Sequence, residues 1–222
     1  STMGSMSMAI QGVYGGLSTL SGAVTEMTEA FSVQEQAELR LQTIMRQRMG
    51  ASEQDIEKIK QLTAEQQKLG VIGDEVQLAG AQQVATFLSE RQSLELLIPA
   101  MNDLAAQQKG LNVTSDDMVN IGNMFGKVMQ GQVGALRRVG ITFDESQEKV
   151  LKYGTEQERA AMLAEVITQN VGHMNSVLAA TDSGKAKQAA NNFGDMQEEI
   201  GRVLAKWEPF IKSFSQVGMI TM

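Results

Sequence analysis

Signals that start and stop helices recur at short intervals along this chain, and they restrict what it can fold into. A capping box, in which a Ser, Thr or Asp residue is followed three positions later by Glu or Gln, begins at Ser32, Asp144 and Thr155. Single cap residues stand at Ser52 and Thr114. Glycines close the apolar stretches that follow, and the whole chain contains only 2 prolines. These start and stop signals predict an all-α fold, a compact array of antiparallel helices joined by short glycine-capped turns.

Each predicted helix carries an apolar face at helical spacing, the pattern of a helix that packs on a core. With 5% aromatic residues and 15 methionines, that core must consist mainly of Leu, Ile, Val, Met and Ala. The predicted helices run from Ser32 to Met49, from Ser52 to Lys68, from Asp74 onward, from Ser93 to Lys109 with Pro99 inside, from Thr114 or Ser115 to Gly131, and from Thr155 to Val171. The residues predicted to be buried are Ile56, Ile59, Leu62, Val76, Ala79, Val84, Phe87, Leu88, Met118, Ile121, Phe125, Val128, Met129, Ala160 or Ala161, Leu163, Ala164, Ile167 and Val171.

The last predicted helix carries the most regular apolar pattern. Its members, spaced alternately four and three residues apart, form a heptad seam: Ala189, Phe193, Met196, Ile200, Val203 and Trp207. The seam lasts about two and a half heptads, fewer than the three or four that identify a coiled coil from sequence. Two interpretations therefore stay open, a helix that lies on the core of its own domain and self-association through an intermolecular coiled coil. Trp207 and Pro209 predict the end of this helix.

Composition predicts three regions. Residues 1–31 form a Gly- and Met-rich segment that is uncharged up to Thr25, residues 32–207 form a single helical domain with a slight composition shift at 108–112, and residues 208–222 form a C-terminal tail. The uncharged start and the final "FSQVGMITM" predict a segment cut from a longer chain.

The uncharged N-terminal stretch raises the question of a membrane span. Gly12 and Gly16 have the GxxxG spacing that packs transmembrane helices together. Gln11, Ser18 and Thr19 interrupt the apolar run, however, and no stretch of about 20 predominantly apolar residues exists. No basic residue precedes the apolar part, as a secretory signal requires. A membrane-active role is therefore kept as an alternative only.

The segment "MQGQVGALRRVGITFDESQ", residues 129–147, is where a phosphate-binding loop would be sought. It lacks both the GxxxxGK[ST] motif and a preceding strand, and a net charge of −7 argues against a general nucleic-acid binder. We interpret the segment as a joint between helices, in which one of Arg137 and Arg138 pairs with a carboxylate or a helix end and the other is exposed. Its predicted parts are a helix stop at Gly131, an apolar turn through Val133, Leu136 and Val139, a second stop at Gly140, a short extended segment near 141–143, and a cap at Asp144 with Gln147.

No residue qualifies as a candidate for catalysis, cofactor binding or metal binding. The only histidine, His173, follows a helix end, where the helix dipole favours a cation. The chain has no cysteine and no histidine pair for a zinc site. The carboxylate pairs 116–117 and 198–199 fit a first helical turn and a solvated helix face, and Met118, Met124 and Met129 fit a core. The chain is therefore predicted not to be an enzyme.

Three segments occur in a distinctive order. The first, from Gly73 to Ile141, contains "LELLIPAMNDLAAQQKG" and "GKVMQGQVGALRRVGI"; the second is "QERAAMLAEVITQNVG"; the third is "GKAKQAANNFGDMQEEIG", from Gly184 to Gly201. Together they resemble the tail tape measure proteins of long-tailed phages and prophages. The resemblance spans roughly residues 73–201 and rests on the order and spacing of the segments.

This resemblance implies a virion structural protein that acts in tail assembly and determines tail length. Such a protein lies in the tail lumen after assembly in the bacterial cytoplasm, meets tail-tube, chaperone and tail-tip proteins, and is later expelled as DNA crosses the envelope. No site residue carries over, because the family's function resides in helical length, about 1.5 Å per residue. The glycine stops nevertheless predict a compact module within such a protein. A peptidoglycan-cleaving enzyme, the other alternative, would need cleft carboxylates or a metal motif.

Overall fold

The computed structural model describes the backbone of residues 2–220 and the side chains of residues 22–207. Within these residues the chain forms helices and no strand, so the predicted all-α class is confirmed. The helices are α1 (Thr2–Met49), α2 (Glu53–Leu69), α3 (Asp74–Ala85), α4 (Arg91–Lys109), α5 (Ser115–Met129), α6 (Gly134–Arg138), α7 (Glu145–Tyr153), α8 (Glu156–Val171), α9 (Met174–Ala179) and α10 (Asp182–Ile220).

The chain divides into two units. Ser1–Glu35 and Phe193–Met222 form the first, called here the paired-helix unit, and Gln36–Asn192 forms the second, called here the helix array. The boundaries that the sequence predicted after residues 31 and 207 fall inside α1 and α10. Residues 108–112, the other candidate boundary, lie within the helix array.

Local capping fixes where four helices begin. At the start of α2, the Ser52 hydroxyl accepts a hydrogen bond from the Asp55 N–H at 3.2 Å, and the Asp55 carboxylate accepts one from the Ser52 N–H at 3.0 Å. Each bond satisfies a backbone donor that the helix itself leaves unpaired. The same reciprocal pair occurs at Thr114 with Asp117, Asp144 with Gln147, and Thr155 with Glu158. These predicted helix starts are confirmed.

Two predicted helix starts and one predicted helix end are wrong. Ser32, a predicted start, lies inside α1, because a Ser-x-x-Glu pattern also fits a helix interior and residues 23–31 contain no Gly or Pro that would interrupt the helix. Helix α10 runs past Trp207 and Pro209 to Ile220, since a proline removes one backbone donor without forcing a stop. Helix α4 begins at Arg91, and Ser93 is buried in its first turn.

The start of α4 is capped from a distant part of the chain. The backbone N–H groups of Ser89 and Glu90 each donate to the Glu156 carboxylate at 2.9 Å. Near the other end of α4, the Asp103 carboxylate accepts a bond from the Asn175 N–H, just after α8. The start of α4 thus lies near the start of α8, and the end of α4 lies near the end of α8. The two helices therefore run in the same direction.

Helices α3 and α5 also run in the same direction, and glycines let them approach closely. A β-carbon added at Gly122 would lie 2.7 Å from the carbonyl oxygen of Gly80, and one added at Gly126 would overlap the Phe87 ring. Gly80 lies against Met118, Val84 lies against Gly122, and Phe87, just after α3, lies against Gly126, so the contacting residue numbers rise together and define a parallel pair. Neither pair is adjacent in sequence, so both lie outside the prediction of antiparallel helices joined by short turns.

The apolar faces of the helix array meet in one core. The stripe predicted on α5 is buried throughout, as are the predicted Ile56, Ile59, Val84, Leu88, Ala160, Leu163 and Ile167. On α3 the register differs from the prediction: Val76 and Ala79 are only partly buried, while Leu78 and Ala81 are fully buried. Helices α2, α4 and α5 all contact α3, so its buried face is broader than a single stripe.

In the paired-helix unit, α1 and α10 are in contact at Gly201. The carbonyl oxygen of Met27 lies so close to Gly201 that no β-carbon fits between them. The Arg202 guanidinium lies 5.9 Å from the centre of the Phe31 ring, within the range of a cation–π contact. Gly201 therefore marks the side of α10 that is covered by α1.

Candidate functional site

Residues 129–147 form a joint between helices, as predicted. Gly131 and Gly140 have φ angles of 84° and 81°, which favour glycine, and they stand on either side of the short helix α6. Val133 and Leu136 are buried beneath this turn. Val139 is 40% exposed, so the prediction that it completes the apolar edge is wrong. The residue lies just past the last turn of α6, where it faces away from the core.

The arginine pair in this joint has an internal partner. The Arg137 guanidinium lies 2.7 Å from the Glu148 carboxylate and 4.7 Å from the centre of the Phe143 ring. Hydrogen bonds from Lys152 and Arg137 hold the pKa of Glu148 below its usual value. Arg138 is exposed. The prediction that one arginine pairs and the other is exposed is confirmed, and the paired arginine connects α6 to α7.

The segment predicted to be extended near 141–143 pairs with a side chain rather than with a strand. The Asn170 carboxamide accepts a hydrogen bond from the Thr142 N–H at 2.9 Å and donates one to the Thr142 carbonyl at 2.8 Å. A single amide thus satisfies both backbone groups of Thr142, as a neighbouring strand would. The shallow depression beside it is lined by Phe143, Gln147 and Gln169, and Gln147 donates to Gln169 at 2.8 Å. These hydrogen bonds connect the joint to α8.

Among the side chains that the structure describes, the least exposed charged group is the Asp103 carboxylate on α4, which is 7% exposed. It accepts a hydrogen bond from the Asn175 N–H at 3.0 Å and lies 3.4 Å from Nδ1 of His173. The Asn175 side chain in turn accepts a hydrogen bond from the Val71 N–H at 2.9 Å. Burial raises the pKa of Asp103, while the bonds from Asn175 and His173 oppose that rise. The cluster joins α4, α9 and the loop after α2.

Replacing Asp103 with asparagine is expected to raise the free energy of unfolding at neutral pH. The folded pKa is raised above the ordinary value of 3.8, so the unfolded chain ionises first as pH rises, and the folded state then carries the cost of a buried charge. Asparagine avoids that cost and keeps an oxygen to accept the Asn175 N–H bond. The gain should shrink as pH falls toward and below 3.8, and urea titrations at several pH values would measure it.

The matched control is Asp116→Asn. Asp116 is exposed in the first turn of α5, where a negative charge stabilises the helix by about 0.3–1 kcal/mol. Its neutralisation should therefore lower stability at neutral pH, the opposite direction to Asp103→Asn. A loss of stability at neutral pH in both variants would show that burial of the Asp103 charge is not costly.

The other carboxylates and the methionine stripe take part in helix capping, ion pairs and core packing. Asp117 caps α5 and lies 3.0 Å from Lys109, and Glu199 lies 3.0 Å from Arg202. Met118 and Met129 belong to the core of the helix array. Among the side chains that the structure describes, no three His, Cys, Asp or Glu residues are grouped so as to hold a metal. No described helix combines the length and hydropathy of a membrane span.

The heptad seam of α10 is exposed. Phe193, Met196, Ile200, Val203 and Trp207 are 54%, 50%, 38%, 50% and 58% exposed, respectively, and Ala189 is exposed as well. The interpretation that this seam lies on the core of its own domain is therefore wrong. The six seam residues do share one face of α10, but α10 contacts α1 through the side that carries Gly201.

Sequence reasoning did not single out Asp103, Glu156, Asn170 or Asn175. Asp103 has a local signal, since a charged residue interrupts the apolar spacing of α4 between Met101 and Leu104. The others pair with backbone groups 28 to 104 residues away, and neither spacing nor composition marks them.

Comparison with protein-family models, with curated proteins and with solved structures gives no match.

Proposed function

We propose that this chain is a non-enzymatic, structural module of a tail tape measure protein from a long-tailed phage or prophage. The observation that carries the proposal is the ordered resemblance of three segments within residues 73–201. These segments form α3 to α6, most of α8 and the first half of α10. The resemblance therefore lies in the helices and in residues 129–141 of the joint, which is consistent with a structural role.

The polar contacts of the helix array support a structural role. Glu156 caps α4, Asn170 pairs with the backbone of Thr142, and Asn175 pairs with the backbone of Val71. Each of these side chains joins separate parts of the chain. A catalytic centre would instead direct such groups toward a bound substrate.

The finer arrangement of the array forms part of the proposal. Helices adjacent in sequence are proposed to be antiparallel and joined by glycine-capped turns. Gly110 and Gly172, at the C-caps of α4 and α8, have φ angles of 60° and 65°. Within the turn between α2 and α3, the Asp74 N–H donates to the Gln67 side chain at 2.6 Å.

Within the virion, the module is proposed to lie in the tail lumen after assembly in the bacterial cytoplasm. Its proposed partners are the tail tube, tail assembly chaperones and tail tip proteins. A structural part of this kind is expected to turn over no small molecule, and a turbidity assay on peptidoglycan should stay flat. A fall in turbidity would favour a peptidoglycan-cleaving enzyme instead.

Deleting the segment in frame from the full-length protein should shorten the tail if the segment contributes to the ruler. At about 1.5 Å per helical residue, loss of the 222 residues corresponds to roughly 330 Å. Electron microscopy of negatively stained tails measures this directly. An unchanged length would overturn the ruler assignment.

A matched control separates chain length from fold. Phe125→Ala in the same full-length protein disturbs the core of the helix array but removes no residue. If the number of residues sets tail length, tails of this variant should keep their normal length. Shortened tails in the point variant would show that assembly depends on the folded array instead.

The second candidate is a membrane-active module that inserts into the host envelope during ejection. The uncharged stretch from Ser1 to Thr25 favours it. Leakage of a dye from anionic liposomes, with the complete chain and with a chain lacking residues 1–25, tests it. Leakage that requires those residues would support this role, and an absence of leakage with both would remove it.

A further inference from the structure

The heptad seam on α10 is an exposed apolar face on a well-formed helix. Five of its six members are large hydrophobic side chains, each at least 38% exposed. Single exposed apolar residues are ordinary, but a continuous stripe at heptad spacing is the surface that a partner helix covers. Helix α1 covers the side of α10 that carries Gly201, and the seam residues beside it remain exposed, so a partner has access to them.

The charges beside the seam indicate which partner fits. In heptad terms, Ile200 and Trp207 occupy a positions, so Glu199 and Lys206 occupy the g positions just before them. An antiparallel pair of identical helices places g opposite g, which sets Glu199 of each copy opposite Lys206 of the other. A parallel pair places g opposite e, and the e positions hold the uncharged Gln197 and Leu204.

We propose that two copies of this chain associate through the seam as an antiparallel, two-fold symmetric pair of α10 helices. Ile200 of each copy packs on Val203 of the other, and Met196 packs on Trp207. Two symmetric ion pairs between Glu199 and Lys206 flank these apolar layers. Both residues are exposed, and the Glu199 side chain is 64% exposed. The proposal concerns the chain itself and does not depend on a role in phage tails.

Analytical ultracentrifugation of the complete chain, from micromolar to millimolar concentration, tests the association. The wild-type chain should show a concentration-dependent monomer–dimer equilibrium. Ile200→Glu places a charge in the apolar layer and should raise the dissociation constant at least tenfold. The melting temperature of the monomer should change little, because Ile200 is exposed. A wild-type chain that is monomeric at every concentration would overturn the proposal.

Val177→Glu is the matched control for this substitution. Val177 on α9 is 58% exposed and is also β-branched, but it lies outside the seam. This variant should dimerise like the wild type. Equal loss of dimer in both variants would mean that exposed apolar surface in general, and not the seam, drives association.

Charge reversal tests the orientation. Glu199→Lys alone and Lys206→Glu alone each place like charges opposite one another and should weaken the dimer. The double variant restores opposite charges across the interface and should recover most of the lost affinity. A double variant no tighter than the weaker single variant would contradict the antiparallel arrangement.

The absence of native cysteines allows a second test of orientation. In the antiparallel pair, two copies of Phe193→Cys lie roughly 25 Å apart along the helix axis and cannot form a disulfide. A mixture of Met196→Cys and Trp207→Cys variants should cross-link readily. Cross-linking of Phe193→Cys with itself, without the mixed product, would indicate a parallel pair and overturn the proposal.

Discussion

Replacing Phe125 with alanine is expected to lower the free energy of unfolding by about 3–5 kcal/mol. Phe125 is fully buried and is the largest of the fully buried side chains among the described residues. Its removal loses the burial of the ring and leaves a cavity that the parallel helices α3 and α5 can only partly fill. Because a domain of this kind is stable by only about 5–15 kcal/mol, the loss should be easily measured by urea unfolding followed by far-UV circular dichroism.

Phe193→Ala is the matched control, since it makes the same chemical change at a residue that is 54% exposed. Both phenylalanines lie in helices, so the change in helix propensity is similar. At low protein concentration the control should alter the free energy of unfolding by less than about 0.5 kcal/mol. A similar loss at the two positions would show that Phe125 does not form the centre of the core.

The second large effect is expected from Gly122→Ala, which should lower the free energy of unfolding by about 1–3 kcal/mol. An added β-carbon would lie 2.7 Å from the carbonyl oxygen of Gly80 and 3.2 Å from the backbone nitrogen of Val84. Both are backbone atoms that cannot rotate away, so α3 and α5 must move apart. This cost should outweigh the roughly 1 kcal/mol that alanine contributes over glycine inside a helix.

Gly194→Ala provides the comparison with opposite sign. Gly194 also lies inside a helix, and nothing is found within 4 Å of a β-carbon added there. Only the gain in helix propensity remains, so stability should rise by as much as about 1 kcal/mol. Thermal unfolding of both variants measures the two effects side by side. A rise at both positions would mean that α3 and α5 can separate at little cost.

Local chemistry explains what the sequence could predict. Helix α5 is the clearest case, because its cap at Thr114, its apolar stripe and its end before Gly131 are all encoded within residues 114–131. The cap of α4 could not be predicted, because Glu156 lies 67 positions after Ser89. The sequence also does not show which neighbouring elements a helix packs against. The seam on α10 was found by its period, but only the position of α1 shows which side of α10 is covered.

In the candidate site, too, partners close in sequence could be predicted and distant partners could not. The ion pair of Arg137 with Glu148 spans 11 positions, and its acidic partner lies in the predicted helix that follows the joint. The cluster of Asp103, His173 and Asn175 spans 72 positions and becomes visible only in the folded chain. Ser32 shows the opposite error, since a correct local motif there is overridden by uninterrupted helix on both sides.

The hydrogen bond from the Val71 N–H to Asn175 crosses 104 positions of the chain, and this has a consequence for synthesis on the ribosome. The turn after α2 is made early, yet the side chain that satisfies its buried N–H is added only after α8 is complete. Until then that turn must stay hydrated, because an unpaired buried donor costs about 1–3 kcal/mol. Closure of the nascent array over Val71 is therefore disfavoured by that amount until Asn175 has left the exit tunnel, and a ribosome stalled earlier should hold a chain whose turn after α2 is cleaved by protease more readily than in the complete array.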